Sequence, residues 1–518
     1  MKCLCVCAFC TKARVQSILK GRNLTMKKLA ALVLAVAMIM SIMMIPASAE
    51  VTKPEKITIF VDGTVPTQPN GQAQLIARWE ELTGIKLEII QPDHDAYYDV
   101  LQQQIASGDW PDVMILSSTY YAAYANEGVL WDMTEAWENS NTKAIGTHAN
   151  PEVMEALKIN GRLYGFADGI GGGCVTYVKK AWLDAVGMEA PTTWDEYAAM
   201  CDAFVNNDPD GDGVKDTYAL AAAGFIGTEA PYINYLPEFY QDAYPSFYKN
   251  EEGKWVDGFT EPAMKAALER LNEGYTKGWI DPTTLTNGTK DCRNKFYDDT
   301  TGVFTYWAGT WAVNLKTNLE KNGHDGELVA IAPLEGCPGY FDRTPPVWAI
   351  SSTCENPEGV FTYFIDTILD GGDIEFLWTY GVEDVHWSRK AENVLGVDYA
   401  EGEFHFRENL ETPGTPYTKA HCDPNGVRFP EGFDNPLDKV VKPEAISSNA
   451  LFAETCRSAW MVPSTDVMTT YNGDLTTLKN SLIAKVAMGE MTYDDAMAEF
   501  AKQGQAWSDA IVESLNAQ

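Results

Sequence analysis

Between residues 56 and 117 three short apolar runs, KITIFV (56–61), IKLEII (85–90) and DVMILS (112–117), alternate with two helical stretches, Ala73 to Leu82 and around Tyr97 to Ala106. A strand followed by a helix and another strand returns the chain to the same end of a sheet. The order therefore predicts parallel pairing and an α/β layer. The rhythm resumes after residue 173. CVTYV precedes two helical stretches split by a Pro turn, and GVFTY (302–306), ELVAIAP (327–333) and VWAISS (347–352) read as further strands. Met264, Leu268, Leu271 and Tyr275 stand at helical spacing in a helix from Pro262 to Gly278, and two helices, about 475–488 and 492–515, close the chain. With 518 residues, 45% of them apolar, there is room for more than one such domain.

The second half of the stretch Thr176 to Leu220 is an acidic loop, DPDGDGVKD, from Asp208 to Asp216. Asp208, Asp210 and Asp212 fall at positions one, three and five of a calcium loop, Gly213 at the sharp turn, Val214 where a backbone carbonyl ligates, and Asp216 at nine. A hard cation takes about six to eight oxygens, and alternate residues of a coiled loop supply them. Position twelve is Ala219 rather than Glu, and TYALAAA after Asp216 reads as a strand. The loop is thus an isolated one between a helix and a strand, suited to a structural Ca2+; the competing reading is a solvated Asp-Gly turn. Ahead of it, Thr193 and Glu196 have capping-box spacing for the preceding helix.

The first 49 residues differ from the rest. Met26-Lys-Lys, an apolar run and Ala47-Ser48-Ala49 form a signal-peptide pattern over 26–49, with Glu50 expected as the first mature residue. The alternative is a retained membrane anchor. No Cys stands at the cleavage site, so no lipoprotein signal is expected, and Cys3, Cys5, Cys7 and Cys10 precede the signal in no common zinc spacing. Cleavage removes seven basic residues and no acidic one, taking the formal charge from −34 to −41. Such a surface argues against nucleic acid, whose phosphates need basic groups. Seven cysteines remain, scattered and odd in number, which is no disulfide framework; whether Cys337 and Cys354 pair is left open.

YVKKAWLDAVGMEAPTTWDEY, with GDWPDVMIL, YYAAYANEGVLWDM and GRLYG ahead of it, resembles the extracellular solute-binding proteins of family 1, the oligosaccharide receptors of ATP-binding-cassette importers. The subgroup most similar to this chain includes alginate-oligosaccharide receptors and large Gram-positive lipoprotein receptors, and it has an Asp-rich calcium loop at this place. The resemblance implies an α/β, two-lobed, periplasmic-binding-protein-like fold of type II with hinge-connected lobes. The lobes are expected at 50–165 plus 303–345, and at 166–302 plus 346–518 with the calcium loop. It further implies an exported monomer with no chemistry of its own, whose partners are an oligosaccharide and a membrane permease.

Aromatic residues at predicted strand ends suit such a ligand. Rings cover the C–H face of a sugar, and carboxylates take its hydroxyls. Tyr121 follows DVMILSS, Trp307 and Trp311 flank a helix start, and Trp348 follows two prolines. GVEDVHW, ending in His386 and Trp387, resembles the subgroup's Gly-rich turn near the cleft, and Asp168 follows the first crossover. The expected cleft is therefore floored near Asp168 and Trp348 and walled by Tyr121, Trp307, Trp311 and Trp387. The glycines of 169–173 precede a strand and open no helix, which excludes a nucleotide loop and suggests a flexible hinge or a close backbone approach to a ligand. No His-Glu-x-x-His, Gly-x-Ser-x-Gly or phosphate loop is present, though the many acidic residues leave a glycosidase pair open. A secreted polysaccharide-degrading enzyme with a calcium staple and a cell-surface adhesion module are the rival classes.

Overall fold

The structure, a computed structural model, describes residues 51–518 apart from 64, 94–95, 147–150, 168–171, 227–235, 344, 412–413, 415–416, 418–441, 461, 464 and 518. The expected signal segment and Asp168 lie outside the described residues. Among the described residues no helix is long and apolar enough to cross a membrane.

In chain order the strands that matter are β1 (Lys56–Phe60), β2 (Lys86–Ile90), β3 (Val113–Leu116), β4 (Gly165–Phe166), β5 (Cys174–Lys179), β6 (Tyr218–Leu220), β7 (Thr301–Trp307), β8 (Leu328–Ile331), β9 (Tyr340–Asp342), β10 (Val347–Ile350) and β11 (Cys456–Ser458). The helices are α1 (Gln72–Thr83), α2 (Tyr97–Ser107), α3 (Ser118–Asn126), α4 (Trp194–Asn206), α5 (Ala263–Thr276), α6 (Thr289–Tyr297), α7 (Thr310–Lys321), α8 (Asp373–Tyr380), α9 (Pro443–Thr455), α10 (Asp466–Ala487), α11 (Tyr493–Gln503) and α12 (Gln505–Asn516).

Two sheets result. The first has the order β2-β1-β3-β10-β4 and the second β8-β5-β7-β6. In the first, β1 pairs parallel with β2 and β3, as the alternating sequence predicts, while β10 runs antiparallel to both β3 and β4. Each sheet has its own core. Ile57, Trp79, Leu101, Ile115, Trp348 and Phe364 belong to one; Val178, Trp182, Phe204, Leu271, Phe304 and Ile483 belong to the other. The six residues of β5 are all buried, since the strand lies between β8 and β7 with layers on both faces. The expected capping box of α4 is present, Thr193 and Glu196 exchanging their bonds. The C-terminal helices α10 to α12 fold onto the second core through Lys479, whose ammonium meets buried Asp257 at 2.5 Å while Ser508 donates to the other carboxylate oxygen at 2.7 Å.

The expected assignment of 303–345 to the first lobe and of everything after 346 to the second is corrected by the sheets. Strands β7 and β8 flank β5 in the second sheet, and β10 lies between β3 and β4 in the first. Residues from Val347 to Trp378 supply the first core, and the second resumes at Phe452. The physical reason is that β7 and β10 are short runs buried on both faces, so their pattern marks a strand but not the sheet it joins. None of the six described cysteines outside the leader is in a disulfide, Cys337 and Cys354 included.

Candidate cleft edge and acidic loop

The chain passes between the sheets after β4 and returns after β9. Register fixes which sheet edges these crossings touch. In the first sheet Leu116 pairs with Val347 and Phe166 with Trp348, so the last residues of β3 and β4 lie beside the first of β10. In the second sheet Trp307 pairs with Cys174 and Ile331 with Thr176, so the last residues of β7 and β8 lie beside the first of β5. Both sheets therefore turn the carboxyl ends of most of their strands toward the crossings, the end at which open α/β sheets take ligands. The crossings touch one another, the Arg343 N–H donating to the Gly172 carbonyl at 3.2 Å, and Ala308 N–H, just past β7, donates to the Gly173 carbonyl at 2.9 Å. A side chain at Gly173 would put its Cβ 2.4 Å from the Phe341 carbonyl oxygen and 2.4 Å from the Phe452 ring. The close approach at this glycine is to the Phe341 backbone and the Phe452 ring, not the approach to a ligand that the sequence suggests.

On the second sheet's side of this edge stand Trp307 and Trp311, both half-buried. The Arg343 guanidinium lies over Trp307 at 4.7 Å. Gly309, at φ +75°, turns the chain from β7 into α7, its N–H donating to Ser448 Oγ at 2.9 Å. That turn puts Trp311 in the first turn of α7, edge-on to Tyr306 at 4.8 Å. Arg293 of α6 donates to Tyr306 Oη at 2.6 Å and lies over Trp311 at 5.1 Å.

On the first sheet's side the prominent pair is one the sequence reading did not select. Tyr98 and Tyr120, both half-buried, stack face to face with centroids 3.7 Å apart, and Tyr98 Oη accepts the Ser117 N–H at 2.7 Å just past β3. Burial, opposed by the bond from Ser117, raises the Tyr98 phenol above its ordinary value. Asp62, two residues past β1, acts on it through space. The usable signal was the phase of α3: of the two consecutive tyrosines after β3, one must face inward.

Tyr121 is the inward one. It is 0% exposed, with Oη donating to the Leu157 carbonyl at 2.7 Å and accepting the Tyr164 N–H at 3.2 Å. Trp348, 1% exposed, is packed on Phe364 at 5.5 Å. Trp387, 5% exposed, donates from Nε1 to the Gly381 carbonyl at 3.0 Å and joins a small cluster with Tyr380, Phe406 and Tyr417. None of these three offers a ring face to a ligand, so Tyr121 and Trp387, expected as cleft walls, and Trp348, expected on its floor, are corrected to core residues. His386 is buried with them, Nδ1 accepting the Val382 N–H at 2.8 Å and Nε2 meeting the Asn70 carbonyl at 2.7 Å.

The acidic loop lies at the opposite edge of the second sheet, because it precedes β6, whose Tyr218 pairs with Thr301 at the start of β7. Carboxylate oxygens of Asp208, Asp210 and Asp212 come within 4.8 Å of one another. Positive φ at Asp208, Gly211 and Gly213 coils the loop around them. Gly213 N–H donates to Asp208 Oδ2 at 3.1 Å and Val214 N–H to Asp212 Oδ1 at 2.7 Å. The Oδ1 atoms of Asp208 and Asp210 are enclosed and have no hydrogen-bond partner. Burial first, then its two acidic neighbours, holds the Asp210 carboxyl above its ordinary value. Enclosed, unsatisfied, mutually repelling carboxylates fit a hard cation. Val214 and Asp216, the other two expected ligands, are exposed and stand outside the three-carboxylate group. Below the loop, buried Lys179 at the end of β5 is ion-paired with Asp299, and burial pulls its ammonium down to about 8 against the effect of Asp299 and Asp210.

The profile of the family described as bacterial extracellular solute-binding protein matches residues 67–365. Among curated proteins, the polygalacturonan/rhamnogalacturonan-binding protein YtcQ of Bacillus subtilis (strain 168) is 23% identical over 346 residues, 60% of this chain and 62% of its own. The fructooligosaccharide ABC transporter substrate-binding protein FusA of Streptococcus pneumoniae serotype 4 is 23% identical over 272 residues, 49% of this chain and 50% of its own. The chain spans between 45% and 63% of the length of the curated relatives it matches. Among solved structures, alginate-binding protein AlgQ2 without calcium ion has a TM-score of 0.64 at 18% identity, covering 91% of this chain and 99% of its own, a likeness of fold.

Proposed function

The chain belongs to the bacterial extracellular solute-binding protein family, and from that premise we propose that it is the exported receptor of a carbohydrate importer. In this reading it binds an oligosaccharide between its lobes and hands it to a membrane permease of the ATP-binding-cassette type. The observation that carries the reading is the convergence of strand carboxyl ends from both sheets on the crossings, with half-buried aromatic rings on either side. The rings, Trp307 and Trp311 on the second sheet's side and Tyr98 and Tyr120 on the first's, cover sugar C–H faces; Asp62 takes hydroxyls. Closure about the crossings couples the ligand to the surface the permease meets. The receptor acts as a monomer, performs no reaction and binds no nucleic acid. The relatives YtcQ and FusA, whose names speak of saccharides, support the substrate class.

At the far edge the cation is Ca2+, held by Asp208, Asp210 and Asp212, with the Val214 carbonyl and Asp216 completing the shell. Its role is structural, tying α4 to β6. A panel of oligosaccharides tests the whole: a rise in melting temperature with the sugar recovered intact supports a receptor, and cleaved products in the chromatogram would make it an enzyme.

A further inference from the structure

Three consecutive residues at the end of β7 are held by partners from elsewhere in the chain. The Trp307 carbonyl accepts from Tyr177 Oη of β5 at 3.0 Å, the Ala308 N–H donates to the Gly173 carbonyl at 2.9 Å, and the Gly309 N–H donates to Ser448 Oγ of α9 at 2.9 Å. Tyr177 and Ser448 are each 1% exposed, and their hydroxyls meet one another. A buried hydroxyl pair of this kind makes one tie stiffen the other.

Helix α9 reaches this turn because two glycines admit it. Its buried residues Ala445, Ser448 and Phe452 stand at helical spacing. A Cβ at Gly173 would lie 2.4 Å from the Phe452 ring, and one at Gly309 would lie 2.8 Å from Asn449 Oδ1. Gly173 precedes Cys174 and Gly309 follows Trp307 by two residues, and Cys174 and Trp307 are paired. One helix therefore bears on the sheet edge from both strands. Strand β7 has no need of this to stay in the sheet, because it is already in register with β5 from Val303 to Trp307. What the extra ties fix is the backbone that carries the Trp307 ring, half-buried at the crossing edge. A ring that stacks on an incoming ligand binds it better when its position is set beforehand, since ordering it on binding costs free energy.

Resting on the sugar-binding reading above, we propose that β5 and α9 brace the Trp307 ring for its ligand, with Tyr177 and Ser448 as positioning residues that touch no sugar themselves. The test titrates fructo-, galacturono- and chito-oligosaccharides calorimetrically into the wild-type chain. Those that bind are then titrated into Tyr177→Phe, Ser448→Ala and Trp307→Ala, singly and combined. Each loss of a hydroxyl should weaken binding about three- to tenfold, the effect of having to order one side chain on binding. In the Trp307→Ala background the same change should alter affinity by less than about twofold, because the braced ring is already gone. A denaturant melt verifies that each variant folds; if Ser448→Ala does not, Tyr177→Phe decides. A lowered melt with unchanged affinity would make the ties purely structural and overturn the inference. It is equally overturned by a loss of affinity that persists in full without Trp307, or by a Trp307→Ala variant that binds as the wild type does. All three results leave the receptor reading standing. Silence of every oligosaccharide takes down the receptor reading and this inference with it.

Discussion

The two edges of the second sheet are furnished differently. At the crossing edge, Trp307 and Trp311 are half-buried, and arginines lie on their faces. At the far edge, buried Lys179 is paired with Asp299, and Asp208, Asp210 and Asp212 bring carboxylate oxygens within 4.8 Å of one another. Strand β5 joins them, with Cys174 at one end and Lys179 at the other, roughly 17 Å apart at the usual rise per residue. A large ligand that must enter and leave needs surface that is incompletely buried beforehand. A small ion that stays can be enclosed and its charge balanced locally. Recognition and stabilisation can then fail separately, and the predictions probe that separation.

The largest effect should come from breaking the far edge. Lys179→Ala leaves Asp299 without its ammonium and should cost about 3–5 kcal/mol of stability, the usual loss when one member of a buried pair is removed. Denaturant melts measure it. Sugar affinity, measured on the folded protein, should stay within about twofold, and a parallel collapse of affinity would show that the edges are not independent. Next comes the cation. Chelation should lower the melting temperature, by about 2.7 kcal/mol of stability if calcium had been at a hundredfold excess over its Kd. Asp210→Asn should abolish that response. The metal-free variant should melt no lower than metal-free wild type, because it removes a repelling charge from an enclosed cluster. A variant that still responds to chelator would move the ion elsewhere.

The contrast between edges also explains what was legible in the sequence. The convergence of the acidic loop's carboxylates was, since they are close in sequence and the spacing of Asp208, Asp210 and Asp212 encodes it. The parallel start of the first sheet was legible for the same reason: β1, β2 and β3 follow one another with single helices between. The crossing edge was legible only in part. Its residues come from distant segments, and an aromatic residue near a strand end has the same local pattern whether it faces core or cleft. Trp307 and Trp348 illustrate this. Each belongs to a short apolar strand, yet β7 ends at Trp307 beside the crossing, whereas Trp348 lies one residue inside β10 and is covered. Tyr120 and Tyr121 differ only by the phase of α3. The exchange of β7 and β10 between sheets has no local signature at all.

Those two tryptophans give a matched test. Trp307→Ala should weaken sugar binding by roughly 1–3 kcal/mol, as for loss of one stacking surface, and should cost less stability than its partner in the comparison. Trp348→Ala should instead cost about 3–5 kcal/mol of stability, because it opens a cavity in the first core. Calorimetry and a denaturant melt on both variants check the pair. Unchanged affinity in Trp307→Ala would remove the ring from the site.

The smallest effect is expected at His386, beside the first sheet's crossing edge, and it depends on pH. Its Nδ1 accepts the Val382 N–H, so the proton of the neutral ring is on Nε2, donated to the Asn70 carbonyl. A second proton would have to sit on Nδ1, facing an N–H donor. Burial lowers the His386 pKa below the ordinary histidine value. The unfolded chain therefore binds this proton more readily than the folded one. Stability from the neutral ring is fully present above about pH 6.5, the unfolded value, and is lost as pH falls toward the depressed folded value. What loosens first should be local: the turn from Gly381 to Trp387 is tied to α1 through Asn70 and Gly71, and Gly71 leaves no room for a Cβ beside the His386 ring. Hydrogen exchange at Val382 and around Asn70 should rise on acidification before the second core responds. His386→Gln, which can keep a donor toward Asn70 without titrating, should flatten that dependence. A wild-type profile already flat between pH 7 and 5 would mean that the latch tolerates the charged ring.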